Sequence, residues 1–167
     1  MKAILELRIA RANDADAPAI RRLHRALCLE ERQAGYADHC DDNWIESTEG
    51  ALYLNRRLAG DGLALIAKVR TQTAGYLLAG FRQSDDKQAA GLESLYVVSD
   101  FRRQGVAFAM VKEFLQWFCE SDAAHASVAV AAGNGAAAAL YRKAGFSEQR
   151  AIEQGRTLIL TRRRNMG

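Results

Sequence analysis

The chain reads as one mixed α/β sheet with helices on both faces. Three observations predict it. The early strands follow one another as a meander, the later strands alternate with helices, and no repeat or long linker interrupts the series. The 167 residues, 49% hydrophobic and 26% charged, suffice for one full core and are unlike a disordered chain.

Leu5 to Ala10 alternates apolar and charged side chains, the period of a half-buried strand. Asp14 or Asp16 can cap the helix that follows, and Pro18 fits its first turn, where the amides need no partner. Ile20, Leu23, His24 and Leu27 recur at helical spacing, and the helix ends before Gly35. Residues 36–60 are polar, with an acidic cluster (Asp38, Asp41, Asp42, Glu46, Glu49) and a short helix reaching Leu58. Two apolar runs, Gly62 to Val69 and Gly75 to Phe81, flank Arg-Thr-Gln-Thr and predict a hairpin. A polar loop, Gln83 to Gln88, leads to a strand at Leu92. After Gly105, the set Ala107, Val111, Phe114, Leu115 and Phe118 marks one face of a helix. Ser127 to Ala131 is a short strand, and Asn134 to Ala144 an alanine-rich helix that Gly145 stops. Phe146 to Ile152 and Thr157 to Thr161 close the chain as a second hairpin.

The net charge of +3 is too small and too dispersed for a nucleic-acid binder, and the terminal Arg162-Arg163-Arg164 run reads as a solvated end. The three cysteines, Cys28, Cys40 and Cys119, are odd in number and widely spaced, so no disulfide framework or zinc site is expected. No apolar run reaches membrane-spanning length, and Glu6 and Arg8 interrupt any signal-peptide core. Cytoplasm is the expected compartment.

Residues Leu92 to Met110 are the most informative stretch. A strand, a short basic turn and a helix bring free backbone N–H groups and two arginines to one helix N-terminus, a ready site for a phosphate-bearing ligand. No Gly-Lys-Ser/Thr exists for a P-loop, and Ala107 and Met110 stand where a dinucleotide fingerprint needs glycines. The pattern Arg102-Arg103-Gln104-Gly105-Val106-Ala107 instead resembles the Gln/Arg-x-x-Gly-x-Gly/Ala signature of the GNAT superfamily of N-acetyltransferases. Further on, Asn134-Gly-Ala-Ala-Ala-Ala-Leu-Tyr141-Arg-Lys-Ala-Gly-Phe146 is similar to that family's second motif. Leu7 to Ile20 resembles its usual first strand and helix.

The resemblance implies a mostly antiparallel central sheet and acetyl-CoA as acyl donor, with no metal. The amides of Arg103 to Ala107, followed by Phe108, would face the diphosphate, and Gly105 would let the backbone approach it. A bulge in the preceding strand would free Leu95, Tyr96 and Val97 to hold the pantetheine arm, with the Val97 N–H on the thioester carbonyl. Asn134 is assigned a polar contact with that arm and Tyr141 the proton for the departing thiolate; taken alone, one reads equally as a helix N-cap and the other as a packed aromatic. Glu93 is the candidate base. Alternation would put it on the face of Leu95 and Val97, and its other reading is a salt bridge to an arginine such as Arg82. His24, His39 and His125 have no assigned place beside the cofactor. The implied reaction is acetyl transfer to a primary amine, small or on a peptide or protein, through a ternary complex; a non-catalytic acyl-CoA-binding module is the alternative. Exposed sheet edges near the closing hairpin would suit a homodimer.

Overall fold

The computed structural model describes residues 6–36, 41–84 and 86–164; Leu5, Asp38, His39 and Cys40 lie outside them. The elements are β1 (Leu7–Arg11), α1 (Ala17–Gln33), α2 (Thr48–Leu58), β2 (Leu63–Val69), β3 (Gln72–Ser84), β4 (Lys87–Val97), α3 (Val106–Glu120), β5 (His125–Ala131), α4 (Gly135–Lys143), β6 (Ser147–Ile152) and β7 (Thr157–Arg163). The strands form one sheet in the order β1-β2-β3-β4-β5-β7-β6. Its pairs are antiparallel except β4 with β5, which is parallel. The fold class is the predicted one.

Two apolar layers sandwich the sheet. On one face Leu65, Leu77, Leu92 and Val97 pack against Met110, Val111, Phe114 and Phe118 of α3 and Tyr141 of α4. On the other, Ile66, Tyr76, Leu78 and Tyr96 pack against Ile20 and Leu23 of α1 and Leu54 of α2. Strand alternation sends neighbouring residues to opposite layers, so each strand serves both cores.

Local chemistry moves several predicted boundaries. Asn13, not Asp14 or Asp16, opens the turn into α1: its Oδ1 accepts from the Ala15 N–H, and Asp16 Oδ2 accepts from the Asn13 N–H, both at 2.9 Å. The expected loop from Gln83 to Gln88 is mostly strand, because Gln83 pairs with Gln88 and Ser84 with Lys87. Arg164 is exposed, as the sequence predicts, but its guanidinium is tied back, donating to the carbonyls of Phe118, Cys119 and Ala123 at and just beyond the end of α3. Cys28, expected as a free thiol, is disulfide-bonded, whereas Cys119 is free and exposed. Among the described residues no helix is long and apolar enough to cross a membrane.

Candidate active site

The turn between β4 and α3 is built around two left-handed residues, Arg103 (φ +60°) and Gly105 (φ +81°). A left-handed residue directly before a right-handed helix turns consecutive amides to one side, the geometry of a concave nest of N–H groups. The Arg102 N–H goes to the Ser99 carbonyl at 3.2 Å, and the next main-chain donor to find a protein acceptor is Ala109. The amides of Arg103 through Phe108 thus have no partner among the described residues, and they open onto the N-terminus of α3. That set contains the predicted one.

The two arginines divide their work. Arg103 is exposed at the mouth of this nest. Arg102 is a brace: its Nε donates to the Val97 carbonyl at 2.8 Å, its Nη2 to Glu30 at 2.7 Å, and its guanidinium lies over the Tyr96 ring. The Tyr96 hydroxyl donates to the same Glu30 at 2.8 Å. One carboxylate of α1 therefore ties the turn before α3 to β4. Gln104 spends its side-chain amide on the Asp100 carbonyl, and Val106 is buried in the core. Their side chains act through position. Arg102→Ala is expected to loosen the turn and weaken CoA binding about tenfold, ~1.4 kcal/mol, read by titration calorimetry.

β4 is divided at Glu93. Leu92 opposes Ala79 and Ser94 opposes Leu78, so Glu93 is an extra, bulged residue. Beyond this point β4 also leaves β5: the parallel ladder covers only Ala89 to Leu92, while β5 runs on against β7. The Val98 N–H donates to the Ala74 carbonyl at 2.8 Å. In an antiparallel pair, alternate residues bond to a given neighbour, so Tyr96 faces β3 while Leu95 and Val97 turn their main-chain groups into the gap left by β5. The gap is thus lined by Leu95 and Val97, and Tyr96 is corrected to a side-chain role.

The bulge also corrects Glu93. An extra residue breaks alternation, so Glu93 faces α2 with Ser94 and not α3 with Leu95 and Val97. Its carboxylate accepts from Arg57 Nε at 2.8 Å and Nη2 at 3.1 Å, a bidentate pair seated over Gly80, where any side chain would collide with it. Arg82, the partner considered from sequence, lies across Gly91 instead.

The bulge borders a pocket of about 430 Å³ between α1, α2 and the sheet, lined by His24, Asp41, Trp44, Tyr53, Glu93 and Ser94. His24 Nδ1 is 2.9 Å from the Tyr76 hydroxyl. Burial holds the imidazole below its ordinary value and pushes the Tyr76 hydroxyl far above its own. Ser94, opposite Leu78 and so on the same sheet face as Tyr76, keeps its Oγ buried without a hydrogen bond among the described residues. Sequence reasoning missed His24, Tyr76 and Ser94 as a group. The available signal was that His24, Cys28 and Glu31 share a helix face at spacings of four and three.

On α4, Asn134 Oδ1 accepts from the Ala137 N–H at 3.2 Å, the N-cap reading of that residue, with its amide nitrogen left over. Ala138 is buried and keeps the helix slim. Tyr141 is 5% exposed, its ring edge-on to Phe146 and its hydroxyl without a hydrogen-bond partner among the described residues. Burial, and secondarily the Glu31 charge, push that hydroxyl well above the usual tyrosine range. Phe108 lies under the Lys143 ammonium, 4.6 Å from the ring centre. No group of three or more metal-ligating side chains occurs among the described residues.

Residues 19–146 match the Acetyltransferase (GNAT) family. Among solved structures, a ribosomal-protein-alanine N-acetyltransferase from Brucella melitensis is 24% identical with a TM-score of 0.76, covering 94% of this chain and 99% of that one. The PaiA N-acetyltransferase from Thermoplasma acidophilum, in complex with coenzyme A, is 16% identical with a TM-score of 0.76, covering 96% and 100%. A GNAT-family acetyltransferase from Streptococcus pneumoniae is 21% identical with a TM-score of 0.72, covering 95% and 100%. No curated protein matches the chain.

Proposed function

The chain belongs to the GNAT family of acetyltransferases, which use acetyl-CoA to acetylate amines, and from that premise we propose direct transfer in a ternary complex assembled along β4. The observation that carries the reading is the run of six unpartnered amides, Arg103 to Phe108, beside the Leu95 main-chain groups and the Val97 N–H, which β5 leaves unpaired. The first supplies donors to a diphosphate. The second offers a strand edge to the amide-bearing pantetheine arm, with Asn134 as a further polar contact from α4.

In this reading the Val97 N–H faces the thioester carbonyl and stabilises the charge that develops on its oxygen. Tyr141, above the same gap, gives its proton to the departing sulfur. Glu93, accepting two charge-assisted hydrogen bonds from Arg57, meets the acceptor ammonium as a counter-charge. The acceptor enters from the α1–α2 side, where the pocket offers carboxylates and aromatic faces to a primary amine, free or on a peptide. The free edge of β6 would suit a second copy. The cytoplasm, where acetyl-CoA is made and used, is the compartment we assign.

The test is acetyl-CoA with spermidine, kanamycin, a lysine-bearing peptide and an alanine-initiated peptide, followed by free-thiol release. Release above the amine-free rate with at least one of these is expected. CoA binding with no release for any amine would overturn the ternary-complex reading.

A further inference from the structure

We propose that the acceptor amine loses its proton through Ser94 and Tyr76 to His24, a relay on the face of the sheet opposite α3. It rests on the reading above that the acceptor meets the thioester at the bulge of β4.

Three features of the pocket point there. First, Ser94 Oγ is a buried hydroxyl with no formed hydrogen bond among the described residues, at the residue that follows the bulge. A buried polar atom left unsatisfied is costly unless a ligand completes it. Second, Ser94 stands opposite Leu78, one step along the same sheet face from Tyr76, and the Tyr76 hydroxyl is 2.9 Å from His24 Nδ1. Third, the direction of the chain is defined at its far end. His24 Nε2 faces Cys28 Sγ at 3.8 Å, and a disulfide sulfur has no hydrogen to give. Nε2 therefore carries the ring proton, and Nδ1 is the acceptor for the Tyr76 O–H.

The step balances as follows. The amine nitrogen bonds the acetyl carbon and the carbon–sulfur bond breaks. The ammonium that Glu93 meets first gives one proton to the pocket solvent, so that a neutral amine attacks; the second proton, surplus once the nitrogen is acylated, passes to Ser94 Oγ, the serine proton to Tyr76 Oη and the tyrosine proton to His24 Nδ1, in concert, so that no tyrosinate forms in the core. His24 then loses a proton to the pocket solvent, while Tyr141, having protonated the sulfur, recovers one from solvent.

The groups facing His24 fit this part. Tyr76 of β3, Trp44 and Tyr53 on the α2 side and Cys28 on its own helix are uncharged, and their packing keeps the imidazole neutral. Asp41 and Glu93 line the same pocket. Arg57 is held by Glu93. Glu31 bears on the Tyr76 hydroxyl and disfavours an anion there.

The experiment uses the full chain with acetyl-CoA and the fastest amine of the four-member panel. Neutral His24 being the active form, kcat/KM is expected to fall on the acid side of a midpoint below the ordinary histidine value of 6.5. In His24→Gln that limb should vanish and kcat/KM drop about 10²-fold, the usual range for a general base. Tyr76→Phe, which removes one oxygen and keeps the core ring, should give the same drop. NMR titration of His24 gives a readout independent of turnover: its midpoint should move in Tyr76→Phe. Wild-type kcat/KM and pH profiles in both variants would overturn the relay, as would an acid limb that survives His24→Gln and disappears in Glu93→Gln. No thiol release by the wild type with any panel amine would instead remove the transferase reading, and the relay with it; an unmoved His24 titration in Tyr76→Phe would remove the relay alone.

Discussion

Gly105→Val is expected to raise the dissociation constant for CoA by 10² or more, at least ~2.7 kcal/mol, in a protein that still folds. Gly105 holds φ +81° and ψ 8°, a left-handed conformation at the residue just before α3. Valine is among the residues least able to adopt it, because its branched Cβ crowds the following carbonyl, at about 1–2 kcal/mol. Valine would draw the residue back to negative φ and rotate the peptide planes on either side of it. Those planes carry the amides of Gly105 and Val106, in the middle of the unpartnered set. A hydrogen bond to a charged group contributes about 1.5–3 kcal/mol, so misdirecting two of them accounts for the expected loss. Calorimetry with CoA and with pantetheine separates the causes. CoA should weaken strongly and pantetheine, which lacks the diphosphate, should change little. Equal weakening of both would mean that the variant damages the β4 edge, and an unchanged CoA affinity would remove this turn as the diphosphate seat.

Much of this site was legible in the sequence because its parts are local. A strand, a turn with one glycine and an apolar-striped helix are written in consecutive residues, and Asn134 to Tyr141 is a single helical face. The bulge at Glu93 was not legible. Glu-Ser-Leu-Tyr-Val reads the same whether or not one residue is extra, and register is set by the partner strand, here by Leu92 and Ser94 opposing the adjacent residues Ala79 and Leu78. From that one misplacement followed the wrong face for Glu93 and the wrong arginine. Residues joined across the chain were equally hidden. Arg57 reaches Glu93 over 36 positions and Glu30 reaches Arg102 over 72, and both pairs depend on how α1 and α2 sit on the sheet. His24 was dismissed for the same reason: its spacing says helix, and only the packing of α1 against β3 brings it to Tyr76.

Tyr141→Phe is expected to lower kcat about 10²-fold while leaving the affinity for acetyl-CoA and the folded structure unchanged. The ring fills the core beside Phe146, and phenylalanine fills the same space. The hydroxyl has no hydrogen bond among the described residues, so its loss breaks none. Burial favours the neutral phenol, so the proton is present throughout the neutral range and available to a thiolate forming in the same poorly solvated gap. A thiolate released without a donor must wait for water, and the barrier to carbon–sulfur cleavage rises. Stability gives a separate check on the burial behind this reading. A tyrosine whose folded pKa is raised contributes stability that is whole below the unfolded value near 10 and is lost as pH climbs above it. Tyr141→Phe should therefore resist alkaline unfolding better than the wild type while being no more stable at pH 7. Parallel alkaline melting curves for the two would mean that the hydroxyl is solvated and its pKa ordinary. An unchanged kcat would leave Tyr141 as packing alone, and the sulfur would have to take its proton from water entering along the open edge of β4.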